Sequence, residues 1–245
     1  MCLIVFAWQV VPGAPLIAAA NRDEFYDRPA AAAGAWPNNP KVFGGRDLKG
    51  GGSWMGITQD GVHGPRFAAL TNIRGPQERR VDAPSRGALV ADFLSGEMSA
   101  EHYIASIDGG SDAYNGFNLV LGDRERLFWY SNRGGEDARN GKELAPGIYG
   151  ISNSLLDSPW PKVLRAKAEF ASLLCQGAPE DAFFEMLADT TRAPDLRLPD
   201  TGIALEMERV LSAVCIETAG YGTRTSTVVK LYNDAPAELH ERVLQ

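Results

Sequence analysis

CLIVFAWQVVPGAPLIAAANRDEF, residues 2–25, sets two apolar runs around a Pro12-Gly13 turn. Leu3–Val11 and Leu16–Ala20 are too short for two helices, and the tight turn makes them an antiparallel β-hairpin with both faces substantially buried. The second run then passes into Asn21-Arg22-Asp23-Glu24, an abrupt polar and doubly charged cluster at its end. Such a cluster is either a solvated strand end or one wall of a site.

The stretch also has the outline of a secretory signal, with an apolar core and an alanine run. It lacks a basic leading region, and Gln9 with the Pro/Gly turn divides it, so the expectation is a cytoplasmic protein. No apolar run approaches the ~20 residues that span a bilayer.

Further along, residues 29–41 are punctuated by Pro and Asn and read as a loop. Ser53–Thr58 and Phe67–Asn72 read as strands, with Asp60-Gly61 as a turn signal between them. Ser85 is expected to cap a helix over RGALVADFL, and Ser99 one over AEHYIASI. A second hairpin follows, Phe117–Leu121 with Leu127–Ser131, and then a short strand, Gly147–Ser152. PWPKVLRAKAEFASLL is expected to be a helix with Val163, Leu164, Ala168 and Leu174 on its apolar side. PEDAFFEMLAD and IALEMERVL complete the helices, and Thr225–Tyr232 and Ala237–Leu244 the strands. Hairpins without regular βαβ alternation point to an α+β domain with antiparallel sheets, and no linker divides residues 1–245.

The 245 residues are 44% hydrophobic and 22% charged, with a formal net charge of -7. No basic block is present, which argues against nucleic acid. Cys2, Cys175 and Cys215 form neither a disulfide framework nor a metal-binding pair. His63, His102 and His240 stand apart, so no metal and no cofactor are expected. Oxygen ligands from Asp23, Glu24 and Asp27 could at most suit a hard cation.

Cys2 is the chemically distinctive residue. Once the initiator Met is removed, its thiol and a free α-amine belong to one residue, with unperturbed pKa values of about 8.5 and about 7.7–8.0, so one can serve as base to the other. The plain alternative is a small hydrophobe packed in a strand. Asn72, Asn153 and Arg224 join Asn21, Arg22 and Asp23 as polar groups at the lips of apolar strands, where separate strands can converge. Taken singly, each is also explained by ordinary turn chemistry. Phe25, Tyr26, Trp36 and Trp54 are candidate pocket walls or core.

MCLIVFAW, ANRDEFYDRP, GGSWMGI, LTNIR, GISNS and YGTRTSTV occur in order along nearly the whole chain. Together they resemble the NRDE family, that of transport and Golgi organization protein 2 and its bacterial homologues. That family is similar to N-terminal nucleophile hydrolases of the choloylglycine hydrolase and penicillin V acylase type. The resemblance implies a four-layer αββα sandwich with two antiparallel sheets. It implies Cys2 as nucleophile, Asp23 near the amine, and Asn72 as an oxyanion donor. It implies Asn153 in substrate positioning and Arg224 as the late arginine. Asn21, Phe25 and Trp54 are the candidate substrate-binding residues beside them. The activity so implied is hydrolysis of a linear amide or other acyl compound without a cofactor. There is one departure: the hydrolase arginine falls on Ala20 here, and an arginine stands instead at Arg22. Residues 20 and 22 share a strand face, so Arg22 can supply the cation from a shifted position. The resemblance equally implies a non-catalytic alternative, a binding or trafficking protein for a lipid, acyl-CoA or haem-type ligand that retains the hydrolase fold.

Overall fold

A computed structural model describes residues 2–59, 61–75 and 80–245. Met1 and Asp60, on which the expected Met removal and the Asp60-Gly61 turn fall, lie outside the described residues. The opening hairpin is β1 (Cys2–Val11) and β2 (Ala14–Phe25), antiparallel, with Val11 opposite Ala14 across the turn. Pro12 presets one turn residue and Gly13 takes φ +79° at the next, a conformation that costs an L side chain energy and glycine nothing. β2 does not end at the polar cluster, as its composition suggests. It continues through Asn21, Arg22 and Asp23, all at most 5% exposed.

β10 (Gly147–Ile151), β11 (Tyr221–Leu231) and β12 (Glu238–Val243) complete a five-stranded sheet in the order β10-β1-β2-β11-β12. The second sheet has seven strands in sequential order. They are β3 (Ala30–Trp36), β4 (Asn39–Asp47), β5 (Met55–Thr58), β6 (Arg66–Asn72), β7 (Phe117–Gly122), β8 (Leu127–Ser131) and β9 (Lys142–Glu143). Every strand pairing is antiparallel. Residues 29–41, expected to be a loop, instead supply β3 and the start of β4. The Pro and Asn signals there mark a hairpin at a sheet edge, where ladder hydrogen bonds are needed on one side only.

Five α-helices lie among the described residues: α1 (Gly87–Ser95), α2 (Ala100–Asp108), α3 (Pro161–Gln176), α4 (Glu180–Leu187) and α5 (Leu205–Leu211). Ser99 caps α2 by accepting from the His102 N–H. Ser85 does not cap α1: the cap position falls on Arg86, which provides no side-chain acceptor. The buried face of α3 is Lys162, Val163, Ala166, Phe170 and Leu173. Leu164, expected on that face, is 55% exposed, because the stripe is set by a helix axis that the local pattern does not fix.

Period-2 alternation divides the hairpin between two apolar groups. Ile4, Phe6, Trp8, Leu16, Ala18 and Ala20 join Met55, Ile57, Phe67, Val120 and Trp129 from the second sheet. Leu3, Val5, Ala7, Ile17 and Ala19 instead meet Val163, Phe170, Phe183 and Leu187 of α3 and α4. A third group packs Leu89, Val90, Phe93 and Ile104 of α1 and α2 against Ala68, Leu119 and Phe128. The buried Trp8 Nε1–H donates to the Leu144 carbonyl at 3.1 Å, so the ring is accommodated without an orphaned donor. Among the described residues no helix is long and apolar enough to cross a membrane.

Candidate functional site

The strand pairing brings the distinctive residues of the first hairpin together. Cys2 and Arg22 are direct cross-strand partners. Both line a cleft of about 400 Å³ that also takes in Asp23, Asp47, Trp54 and Asn72. Cys2 is partly exposed there. Burial pushes its thiol pKa up, Asp23 adds to that, and Arg22 together with the Asp23 backbone N–H, which donates to the thiol, pulls it back. Burial thus outweighs the neighbouring charges and favours the neutral thiol.

Arg22 is 5% exposed, and its guanidinium lies 4.3 Å from the centroid of the Trp54 ring. It shares the face of Ala20, as strand geometry requires, since Trp54 itself packs against the group containing Ala20. Asp47 Oδ2 stands 4.0 Å from Arg22 Nη2 and 2.8 Å from Arg28 Nη2. Burial lowers the Arg22 pKa, with Cys2, Glu24 and Asp47 opposing that shift.

Asp23 sits one residue on, with its carboxylate turned from that face. It accepts from Thr223 Oγ1 at 2.7 Å and lies 3.7 Å from Lys162 Nζ. Lys162 belongs to the first turn of α3 and reads in the sequence as an ordinary helical lysine. Its one local oddity is a cation at a helix N-terminus, where the dipole disfavours positive charge. Burial raises the Asp23 pKa and lowers that of Lys162, and each partner's charge resists the shift of the other.

Asn72 ends β6 at the cleft, and its side-chain amide has no hydrogen-bond partner among the described residues. Asn153 is fully buried and donates from Nδ2 to the Asn72 carbonyl at 2.8 Å. Ser152 Oγ donates to the Cys2 carbonyl at 2.9 Å. The Arg74 N–H in turn donates to the Asn153 carbonyl at 2.7 Å. Asn153 therefore braces the β6 end rather than entering the cleft. Arg74 also forms a buried ion pair with Glu208 at 2.8 Å, a contact that the sequence did not signal.

Three expected site residues lie elsewhere. Asn21, on the helix side of β2, donates to the Leu187 and Val214 carbonyls at 2.8 and 2.9 Å and accepts from Ser226 Oγ at 2.6 Å. Phe25 is 59% exposed and packs edge-on against Tyr221. Arg224 does not begin β11 but falls at an irregularity between Thr223 and Thr225, and its Nη1 donates to the Arg28 carbonyl. These main-chain acceptors hold the partly buried guanidinium off the cleft, although its charge is still felt at Arg22.

Asp23 and Glu24 diverge to different partners, Lys162 on one side and Arg28 at 3.8 Å on the other, so they do not gather around a cation. Among the described residues the group closest to a metal-ligand set is Glu180, Glu238 and His240. There Glu180 already binds Lys230 Nζ and His240 Nδ1, each at 2.8 Å.

The sequence model of the Transport and Golgi organisation 2 family matches residues 1–245. The chain is 38% identical over 263 residues to the Transport and Golgi organization protein 2 homolog of Bos taurus, covering 99% of this chain and 92% of the relative. It is 36% identical over 263 residues to the Homo sapiens homolog, with coverage of 99% and 92%. To Transport and Golgi organization protein 2 of Drosophila melanogaster it is 32% identical over 273 residues, covering 98% and 90%.

Proposed function

The chain belongs to the Transport and Golgi organisation 2 family, and on that premise we propose that it is an N-terminal cysteine nucleophile hydrolase acting on a linear amide or other acyl compound. The observation that carries the reading is the Cys2 thiol in the cleft, with Arg22 as its cross-strand partner and the Asp23 N–H directed at it. The three apolar groups, helix against sheet, sheet against sheet, and sheet against helix, support the four-layer αββα arrangement of such hydrolases.

The chemistry begins with removal of Met1. The freed Cys2 α-amine takes the thiol proton as intramolecular base. The thiolate attacks the carbonyl carbon, a C–S bond forms, and the carbonyl electron pair moves to oxygen. The Asn72 amide donates to that oxyanion, a contact worth about 2.7–4 kcal/mol of barrier when well placed. The amine passes its proton to the leaving nitrogen, the C–N bond breaks, and an acyl-thioester remains on Cys2. Water attacks that thioester, the C–S bond breaks, and the acid leaves as the thiol regains its proton. Asp23 orients the amine, Arg22 stabilises the thiolate, and Asn153 holds Asn72.

The test is a panel of N-acyl amides and acyl thioesters incubated with purified protein whose N-terminus has been determined by intact mass. Turnover with an acyl adduct on the Cys2 peptide, absent from Cys2→Ala, is the expected result. Equal turnover by Cys2→Ala, or full activity with Met1 retained, overturns the mechanism. Ligand binding without any turnover would instead favour the non-catalytic binding role.

A further inference from the structure

The carboxylates that line the cleft are already engaged. Asp47 Oδ1 accepts the Lys49 and Gly50 N–H groups at 3.0 and 2.8 Å, and Oδ2 accepts from Arg28 Nε at 2.8 Å. Glu24 Oε1 accepts the Phe25 N–H at 2.9 Å, and Oε2 lies 3.8 Å from Arg28. Asp23 is held by Lys162 and Thr223 on the helix side.

Several donors and cations of the same cleft are not engaged. Arg22 Nη1 is buried without a hydrogen-bond partner, and a buried charged N–H in that state is costly. The first turn of α1 opens on the cleft at Gly87, whose N–H has no partner among the described residues. That helix has neither a side-chain cap nor an acidic residue in its first turn, so the positive end of its dipole is uncompensated. Ser85 Oγ makes one long bond, to the Gly51 carbonyl at 3.4 Å. Lys49 adds a side chain without an ion-pair partner among the described residues. Glycines bring these parts together: a Cβ on Gly50 would stand 2.9 Å from Arg28 Nη2 and 3.2 Å from Ser85 Oγ, and one on Gly52 would stand 2.2 Å from the Gly87 carbonyl.

We propose that this wall is an oxyanion-binding subsite, which takes a carboxylate or phosphate group between Arg22 and the first turn of α1, and that the compounds reaching Cys2 are accordingly anionic. A guanidinium stacked on Trp54 with one nitrogen free suits a planar or tetrahedral oxyanion, and a helix N-terminus supplies further N–H donors. Only the statement about compounds reaching Cys2 rests on its reading as the nucleophile. The subsite stands on its own geometry.

The test compares an anionic with a neutral electrophile on one thiol. The full-length protein is alkylated at low ionic strength with iodoacetate or iodoacetamide, and Cys2 and Cys175 are followed by peptide mass spectrometry. The ratio of the two rates is independent of how much thiolate is present, and the exposed Cys175 is the internal reference. A positive site raises the ratio at Cys2 about tenfold above that at Cys175, the low end of electrostatic focusing. Arg22→Met returns it to the Cys175 value, and Ser85→Ala lowers it by about half. Inorganic phosphate or succinate slows iodoacetate at Cys2 alone, and the more effective of the two identifies the group. Equal ratios at the two cysteines, or a raised ratio that survives in folded Arg22→Met, would overturn the proposal. Should Arg22→Met fail to fold, protection of the unmutated protein and the Ser85→Ala ratio decide in its place, and absence of both overturns it. A raised ratio in a protein that turns over no acyl compound would sink the hydrolase reading and leave the subsite. Turnover of neutral amides with no raised ratio would do the reverse.

Discussion

The ammonium of Lys162 stands 3.7 Å from the carboxylate of Asp23, and neither side chain is more than 1% exposed. A buried pair of this kind gains little over well-packed apolar groups, but losing one partner leaves an uncompensated charge and costs about 3–5 kcal/mol. Lys162→Met is therefore expected to lower unfolding free energy by that amount. Asp23→Asn combined with Lys162→Met is expected to recover most of it. Urea denaturation of the four proteins in the cycle checks this, and a double-variant loss equal to the sum of the two single losses would exclude coupling.

Much of this site follows from local pattern, and the rest depends on contacts distant in sequence. Cys2, Arg22 and Asn72 could be read because each sits at a strand terminus or next to an apolar run of known period. The polar residues of β2 misled, because Asn21 and Asp23 are paid for by Leu187, Val214 and Thr223, 166 to 200 residues away. No window around residues 21–24 contains those partners, so a buried polar strand looks like a solvated end. Lys162 was hidden for the same reason. β3 was hidden differently: an alanine-rich, half-exposed edge strand has weak alternation, and its order comes from pairing with β4.

Asn21 illustrates the consequence. Its amide satisfies the Leu187 and Val214 carbonyls and its oxygen the Ser226 hydroxyl. Asn21→Ala would strand those buried groups and is expected to cost about 1–3 kcal/mol of stability. It should leave the iodoacetate-to-iodoacetamide ratio at Cys2 unchanged, since Asn21 faces the helices. Thermal melts and the alkylation ratio together check this, and a changed ratio would return Asn21 to the cleft.

Asp47 gives the acid side of the stability profile. Burial alone would raise its pKa, but the Gly50 N–H and Arg28 outweigh that and hold it below the ordinary carboxylate value. A depressed folded-state pKa contributes stability that is present above the unfolded value, about 3.9, and is lost as pH falls through the folded one. The stability difference between the unmutated protein and Asp47→Asn should thus be full near neutrality and close below about pH 4. Urea midpoints measured from pH 3 to pH 7 read the gap directly. A gap that widened in acid would contradict the assignment.

Asn72 and Asn153 separate chemistry from support. The Asn72 amide is partly exposed and makes no hydrogen bond among the described residues, so its removal breaks no contact described in the resting fold. Asn72→Ala is expected to stay within about 0.5 kcal/mol in stability, while on the proposed hydrolase mechanism kcat falls by about 10²–10³ through loss of an oxyanion donor. Asn153 is fully buried and holds the Asn72 main chain through Nδ2. Asn153→Ala should therefore destabilise by about 1–3 kcal/mol and lower kcat as well, because the end of β6 loses its brace. Measuring melting and turnover on both variants distinguishes the roles. If Asn72→Ala melted early and Asn153→Ala did not, the bracing contact would be assigned to the wrong partner. If neither changed kcat, the oxyanion donor would have to lie elsewhere, with the Asp23 N–H at the Cys2 thiol the next group to examine.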